Sequence, residues 1–250
     1  MTSHGNKRHT KRLATQGYLQ IKRKHGKFFV NTSPGPHPRR FSLPLLHIVR
    51  DLFKIVPYYR DAKKLIGQGY FKVDGRVIRD LGFPLGLMDV LSIEKIKEYY
   101  RIMPDSHHEL KLFKIPKKES DFKLCRINNK TTLKGGHIQL NLHDGRNIKI
   151  EVKDPTKPVE DVYKRMDVLK LSIPTQEILS YIKFKENSLA IIVAGKNVAK
   201  VGVINKIIKR FGPNASTVEI IQKDGTPVET LYDYVLMLGD KESEIKLPKI

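Results

Sequence analysis

The first sixty residues concentrate positive charge to a degree that limits how this part of the chain can fold. They contain thirteen lysines and arginines against one acid, Asp51, in a chain of 250 residues whose formal net charge is +21. Like charges at this density repel one another, and such segments are usually found where they bind a partner of opposite charge. The segment therefore predicts a polyanionic partner, with a merely solvated tail as the alternative.

Cations and aromatic rings alternate in this segment, as in Arg40-Phe41 and Lys27-Phe28-Phe29. That mixture suits phosphate neutralisation together with base stacking on single-stranded or loop RNA. A membrane-surface role is disfavoured, because residues 1–12 contain no large apolar residue after Met1 and cannot form an amphipathic face. RNA is the predicted partner.

Composition limits the remaining classes. A single cysteine, Cys125, cannot build a disulfide framework or a zinc ribbon, which indicates a reducing, intracellular compartment. No apolar run approaches the roughly 18 to 20 residues that a membrane helix needs, and no secretion signal is expected. With 40% hydrophobic residues, the chain can bury the cores of two or three small domains.

A proline-containing linker at 31–38 precedes a compact module. Apolar residues at 45–53 share one face of a helix that Pro57 ends, and a second helix at 58–67 carries Arg60, Lys63 and Lys64 opposite its apolar face. A hairpin is predicted around Asp74-Gly75, a turn at 84–86, and a third strand at 89–93. Residues 95–102 are expected to form a strand or a short helix, and 104–108 a loop.

The rest of the chain predicts antiparallel strands. In the central part, apolar residues alternate at 138–142 and 148–152 around a hairpin loop, and again at 167–171 and 180–184, which favours a small barrel. The last block has strands at 189–193, 201–204, 217–221 and 234–238, with a hairpin signal at 223–225. Together with the strand that this hairpin implies, the block is predicted to contain five strands, as an SH3-like barrel does.

Several motifs together resemble the S4e family of small-subunit ribosomal proteins, over roughly residues 5–239. The resemblance begins in the basic segment and continues through the helical module. Its strings are Lys7-Arg8-His9, Lys11-Arg12-Leu13-Ala14, Ser33-Pro34-Gly35-Pro36-His37, Ser42-Leu43-Pro44-Leu45, Val73-Asp74-Gly75-Arg76-Val77 and the run from Gly86 to Lys95. Later strings follow in the family's order: Lys123-Leu124-Cys125, His143-Asp144-Gly145-Arg146, Tyr181-Ile182-Lys183-Phe184 and a KOW-like loop at 194–204.

The resemblance implies an α+β, multidomain chain. It would have a basic extension (1–42), a small α/β S4-type RNA-binding module (43–105), a central antiparallel β domain (106–172) and a KOW-type SH3-like barrel with a tail (173–250). The implied role is a structural constituent of the small ribosomal subunit in the cytoplasm. Its partners would be small-subunit rRNA and neighbouring ribosomal proteins, and no cofactor, small-molecule substrate or homo-oligomer is expected.

The residues predicted to bind RNA lie in the basic extension, the helical module and the KOW-like loop. They are Lys7, Arg8, His9, Lys11, Arg12, Lys22, Arg23, Lys24, Lys27, His37, Arg39, Arg40, Arg60, Lys63, Lys64, Lys72, Arg76, Lys196, Asn197 and Lys200. Two features depart from the family's pattern. Ala194, Ala199 and Lys200 replace two glycines and an arginine of the KOW loop, and the extension has no tryptophan, Tyr18 being the nearest ring.

Two other functions are compatible with single parts of the chain: an RNA-modifying enzyme that uses an S4-type module, and a KOW-type transcription factor. The sequence contains no Walker-type loop, nucleophile elbow or His-Glu-x-x-His helix, so no enzymatic activity is predicted. His107-His108-Glu109 is interpreted as a hydrated loop and not as a metal site. Cys125 is expected to be a small buried hydrophobe.

Overall fold

A computed structural model describes residues 10–15, 17, 19, 21–22, 24, 26–107, 110–154, 159–211 and 215–247. Over these residues the chain is mostly strand, with few helices and several antiparallel sheets. None of the helices within these residues is both long and apolar enough to cross a membrane.

The basic extension packs onto the module that follows it. Two short strands, β1 (Thr10–Lys11) and β2 (Phe28–Phe29), pair antiparallel. Leu19 and Phe29 are buried in the same hydrophobic cluster as the first helices of the module. The described part of the extension is therefore anchored by apolar contacts despite its charge.

The helical module contains two helical segments and seven strands. They are β3 (Ser42–Pro44), α1 (Leu45–His47) continuing as a π-helical turn (Ile48–Leu52), α2 (Tyr59–Gly67), β4 (Phe71–Val73), β5 (Arg76–Val77), β6 (Pro84–Gly86), β7 (Val90–Ile93), β8 (Glu98–Pro104) and β9 (Leu110–Ile115). Five strands form one sheet in the order β5-β4-β7-β8-β9, and β3 pairs with β6.

Both helices and the Asp74-Gly75 hairpin are confirmed, and the segment after Lys97 is a strand. The turn predicted at Pro84-Leu85-Gly86 is wrong: these residues are β6, a short strand that pairs with β3. The sheet of this module runs past residue 105, which the sequence predicts as the end of the module. Because β9 pairs with β8 along its whole length, the sheet extends to Ile115.

The central sheet is built around one long strand. After α3 (Lys117–Ser120) come β10 (Phe122–Thr132), β11 (Ile138–Leu142), β12 (Asn147–Ile150), β13 (Val168–Ser172) and β14 (Ile178–Ile182), in the sheet order β12-β11-β10-β13-β14. The predicted β11–β12 hairpin is confirmed. Since β14 pairs with β13, this sheet continues past the predicted boundary at residue 172.

The last sheet has five antiparallel strands in the order β18-β17-β16-β15-β19. They are β15 (Leu189–Ile192), β16 (Val201–Ile208), β17 (Thr217–Gln222), β18 (Pro227–Leu231) and β19 (Val235–Gly239). Its core also includes Leu124 and Val168 of the central sheet and Met88 and Met103 of the module. The three large sheets therefore pack against one another.

Candidate nucleic-acid interface

The outer face of α2 carries three of the cations predicted to bind RNA. Ala62 and Ile66, four residues apart, are fully buried against the module's core. Arg60, Lys63 and Lys64 are exposed. Because these three positions are spaced three and four residues apart, they lie on one side of the helix and form a continuous basic stripe.

Two exposed tyrosines stand at the start of this stripe. Tyr58 is 71% exposed and Tyr59 is 50% exposed. Aromatic rings beside cations are the usual composition of single-stranded nucleic-acid sites, because bases stack on the rings while cations meet phosphates. These tyrosines are not among the residues predicted to bind RNA, although an aromatic pair directly before a basic helix is visible in the sequence. We call Tyr58, Tyr59, Arg60, Lys63 and Lys64 the α2 face.

The extension supplies further exposed cations. Of its predicted residues, Lys7, Arg8, His9 and Arg23 lie outside the described residues. The predicted cations with exposed side chains are Lys11, Lys22, Lys24, Lys27, Arg39 and Arg40.

Arg12, another predicted RNA-binding residue, is buried in the extension. Its Nη1 donates to the carbonyl of Lys22 at 3.3 Å, and its guanidinium lies 5.8 Å from the centre of the Phe29 ring. It is only 6% exposed. Arg12 therefore holds the extension together, and it is not part of the exposed basic surface.

His37 is likewise inside the molecule. It is 6% exposed, and its Nε2 lies 2.9 Å from Oδ1 of Asp89. The ring also occupies the space that a side chain at residue 86 would need: a Cβ built on Gly86 would lie 2.3 Å from the His37 ring. This histidine therefore takes an intramolecular partner, and we leave it out of the basic surface.

The His37–Asp89 pair is one edge of a buried ion network. At its centre the ammonium of Lys123 lies 2.9 Å from Oδ2 of Asp74 and 2.9 Å from Oδ2 of Asp144, and it also donates to Asp89. Arg146 completes the set from the edge, 2.6 Å from Asp74 and 3.2 Å from Asp144. We call Lys123, Arg146, His37 and these three aspartates the Lys123 network.

The network keeps its charges although it is buried. Burial alone would raise the pKa of Asp89, but attraction by Lys123 and His37 outweighs it and holds that pKa well below its usual range. Burial would lower the pKa of Lys123, and the three carboxylates around it raise it instead. Because every charge has an opposite partner within hydrogen-bonding distance, the cost of desolvation is offset inside the network.

Beside the network, Cys125, His143 and Asp144 bring three potential metal-ligating atoms within 4.8 Å of one another. The ring of His143 already has two partners: Nδ1 accepts from the Arg126 amide and Nε2 donates to the Leu87 carbonyl, both at 3.2 Å. Burial lowers the pKa of His143 to about 4 and raises the pKa of the Cys125 thiol. Protein groups satisfy these atoms, so the cluster is explained as a structural one.

The KOW-like loop joins β15 to β16 and is held by its own polar side chains. Lys200 Nζ donates to Asn197 Oδ1 at 3.0 Å, and Asn197 Nδ2 donates to the Glu229 carbonyl at 3.5 Å. Ala199, which stands where the resembled motif has glycine, adopts a positive φ of 66°. Lys196 is exposed at the rim of a groove of about 290 Å³ that Tyr234 also lines. Of the three predicted residues, Lys196 points to solvent while the other two brace the loop.

The last two predicted residues lie on the β4–β5 hairpin. Lys72 forms an ion pair with Glu94, and Arg76 is exposed. Lys72 lines a groove of about 640 Å³ whose other charged residues include Glu98 and Lys114, which also pair with each other. The charged lining of this groove is four lysines and two glutamates, and each glutamate pairs with one of the lysines.

Comparison with known proteins places these features in a class. The family model described as "Ribosomal family S4e" matches residues 96–178, and that of the "RS4NT (NUC023) domain" matches residues 4–40. The first of these models describes a ribosomal family, and the class is therefore that of ribosomal proteins.

Full-length relatives identify the family. The chain is 48% identical over 249 residues to the small ribosomal subunit protein eS4 of Desulfurococcus amylolyticus, covering 100% of this chain and 99% of the relative. It is 49% identical over 248 residues to that of Methanocaldococcus jannaschii, covering 99% of this chain and 100% of the relative. The crystal structure of the 30S ribosomal protein S4e from Thermoplasma acidophilum matches with a TM-score of 0.68 and 34% identity, covering 82% of this chain and 98% of that one. The chain belongs to the S4e family of ribosomal proteins.

Proposed function

We propose that this protein is a structural component of the small ribosomal subunit in the cytoplasm, where it binds small-subunit rRNA and stabilises its fold. The proposal is supported by full-length similarity to small-subunit proteins and by the charge of the chain, with 47 basic and 26 acidic residues. Its role is to neutralise phosphates and to position RNA segments, and it requires no enzymatic activity.

The α2 face is the observation that carries the proposal. Its three cations lie on one side of a rigid helix, and Tyr58 and Tyr59 add exposed rings at the same end. Cations on a regular element meet phosphates at fixed spacing, while the rings suit unpaired bases. The exposed cations of the extension then continue the contact along the RNA backbone.

The Lys123 network supports this role from inside the molecule. Its members come from the linker at 31–38, from the helical module and from the central sheet, and the network holds those three parts together. A surface that is already arranged before binding loses less conformational entropy when RNA arrives. The described basic surfaces would therefore meet rRNA as a preorganised set.

For the last sheet we propose an SH3-like, KOW-type barrel whose loop, with Lys196 at its rim, faces rRNA or a neighbouring ribosomal protein. The five-strand order and the basic loop between β15 and β16 support this interpretation. Asn197 and Lys200 would act there by shaping the loop, because they already bond to each other.

The proposal predicts a preference among RNAs that charge alone cannot produce. The purified full chain should bind in vitro transcribed small-subunit rRNA at least about tenfold more tightly than large-subunit rRNA at the same near-physiological salt concentration. Filter binding or fluorescence anisotropy at several salt concentrations measures both affinities. Equal affinity for the two RNAs at every salt concentration would show that binding is only electrostatic, and would contradict the proposal.

A further inference from the structure

Phe211 is the most exposed large hydrophobic side chain in the described part of the molecule, at 97% of its full accessible area. A phenylalanine is usually among the most buried residues, because water contact with its ring is unfavourable. Full exposure of a single ring is therefore a reason to look for a ligand that covers it.

Phe211 stands beyond the paired end of the β16–β17 hairpin. The last residue pair of the two strands joins Ile208 to Thr217. Past this pair the Arg210 amide donates to Ser216 Oγ at 3.1 Å, which links the two sides once more. Phe211 is the next residue after Arg210. Its ring therefore lies beyond the paired part of the hairpin and makes little contact with the body of the last sheet.

The residues around this ring are basic. Lys206, Lys209 and Arg210 precede it and are exposed. The sequence contains no acid from residue 205 to residue 215. The acid that faces Lys206 from the neighbouring strand is Glu219, which bonds to Asn205. We call Lys209, Arg210 and Phe211 the hairpin tip.

We propose that the hairpin tip is a second RNA-binding site, in which Phe211 stacks on an unpaired base of the rRNA while Lys209 and Arg210 contact the adjoining phosphates. The inference rests on the proposed function and adds a specific site and a ligand chemistry to it. The charge selects RNA over an apolar pocket of a neighbouring protein, because two cations directly beside the ring suit a phosphate backbone and disfavour an apolar surface.

Substitutions at residue 211 separate stacking from simple apolar burial. Phe211→Ala removes the ring, Phe211→Leu keeps an apolar side chain without a π face, and Phe211→Trp keeps the π face. With in vitro transcribed small-subunit rRNA as the probe, Ala and Leu should each lower the affinity of the full chain at least about fivefold, and Trp should not. The urea midpoint of each variant should match that of the unsubstituted chain, because the side chain is exposed.

A charge variant tests the second half of the proposal. Lys209→Gln with Arg210→Gln should reduce the slope of log affinity against log salt by about 1.4, whereas the Phe211 substitutions should leave it unchanged.

Base-specific chemical footprinting should show one unpaired base deprotected by Phe211→Ala and protected again by Phe211→Trp.

The outcomes distinguish this site from the proposed function. If the unsubstituted chain binds small-subunit rRNA and all Phe211 variants bind equally well, the hairpin tip is not an RNA site and the proposed function stands. If the Phe211→Leu variant binds rRNA as tightly as the unsubstituted chain while Phe211→Ala binds more weakly, the ring fills an apolar pocket and the proposed base stacking is wrong. If the unsubstituted chain shows no preference for small-subunit rRNA, both proposals fail.

Discussion

Lys123 is the residue on which three segments of the chain converge. Its side chain is 1% exposed, and its ammonium contacts carboxylates from the β4–β5 turn, the start of β7 and the β11–β12 turn. A buried cation surrounded by three carboxylates is stable only while the set is complete. One lysine on the central sheet therefore fixes the position of the helical module against it.

Replacing Lys123 by methionine should destabilise the protein strongly. Lys123→Met keeps an unbranched side chain, shorter by one atom, but leaves Asp74, Asp89 and Asp144 buried close together with less opposing charge. Breaking a buried ion pair in this way costs about 3 to 5 kcal/mol. Urea unfolding followed by circular dichroism measures the change in the free energy of unfolding.

The matched control is Lys170→Met on the neighbouring strand β13. Lys170 also forms an ion pair, with Glu244, but both side chains are partly exposed. Its loss should cost about 1 kcal/mol or less. Equal effects of the two substitutions would show that the Lys123 network contributes no more than a surface pair.

Only part of this network can be predicted from the residues that form it. Asp74 and Asp144 are each followed by glycine, and the sequence predicts both hairpins because such pairs favour positive φ, which Asp74, Gly75 and Gly145 adopt. The second role of the two aspartates was not predictable. Lys123 is 49 residues from Asp74 along the chain, and only the folded arrangement brings them together.

At the scale of elements, α2 was the most predictable part of the candidate interface. Its apolar and basic residues repeat with helical spacing, so one pattern gives both the helix and its exposed stripe. Short strands were less predictable. Pro84-Leu85-Gly86 has the composition of a turn, but it pairs with β3 because the linker and the start of the first helix pack beside it.

The α2 face should contribute to RNA affinity through charge. Changing Lys63 and Lys64 together to glutamine should weaken binding to small-subunit rRNA and reduce the slope of log affinity against log salt by about 1.4 to 1.8. Both side chains are exposed, so the free energy of unfolding should change little. Titrations at four or more salt concentrations measure the slope.

Lys117 and Lys118 provide the control, because they are an adjacent, exposed lysine pair on another helix, α3. Changing this pair to glutamine removes the same charge from a different surface and should leave the slope nearly unchanged. If both double substitutions lower the slope equally, RNA responds to total charge and the α2 face has no special role.

At the scale of the whole molecule, the three large sheets act as one body. Arg101 of the module is buried and donates to the carbonyls of Glu119 and Phe122 at the entrance to the central sheet. Arg126 of the central sheet donates to the Asp233 and Val235 carbonyls of the last sheet. Each junction thus has a buried or half-buried arginine that bonds to backbone across it.

The sequence predicts the positions of strands better than the contacts between sheets. Strand positions follow from alternation within a segment, and most are confirmed. The sheet limits at Ile115 and Ile182 depend on which strand pairs with which, and the shared core depends on contacts such as Leu124 against the last sheet. Such long-range choices are set by packing and leave little trace in local sequence.

The most direct test of a structural ribosomal role is the number of copies per small subunit. A native lysate is sedimented through a high-salt sucrose gradient, and this protein and rRNA are quantified in each fraction. One copy per small subunit, retained at high salt, is the expected result, because ring stacking and shape-specific contacts with rRNA persist when salt weakens the phosphate contacts. Recovery at the top of the gradient, or far less than one copy per subunit, would contradict the role proposed for this chain.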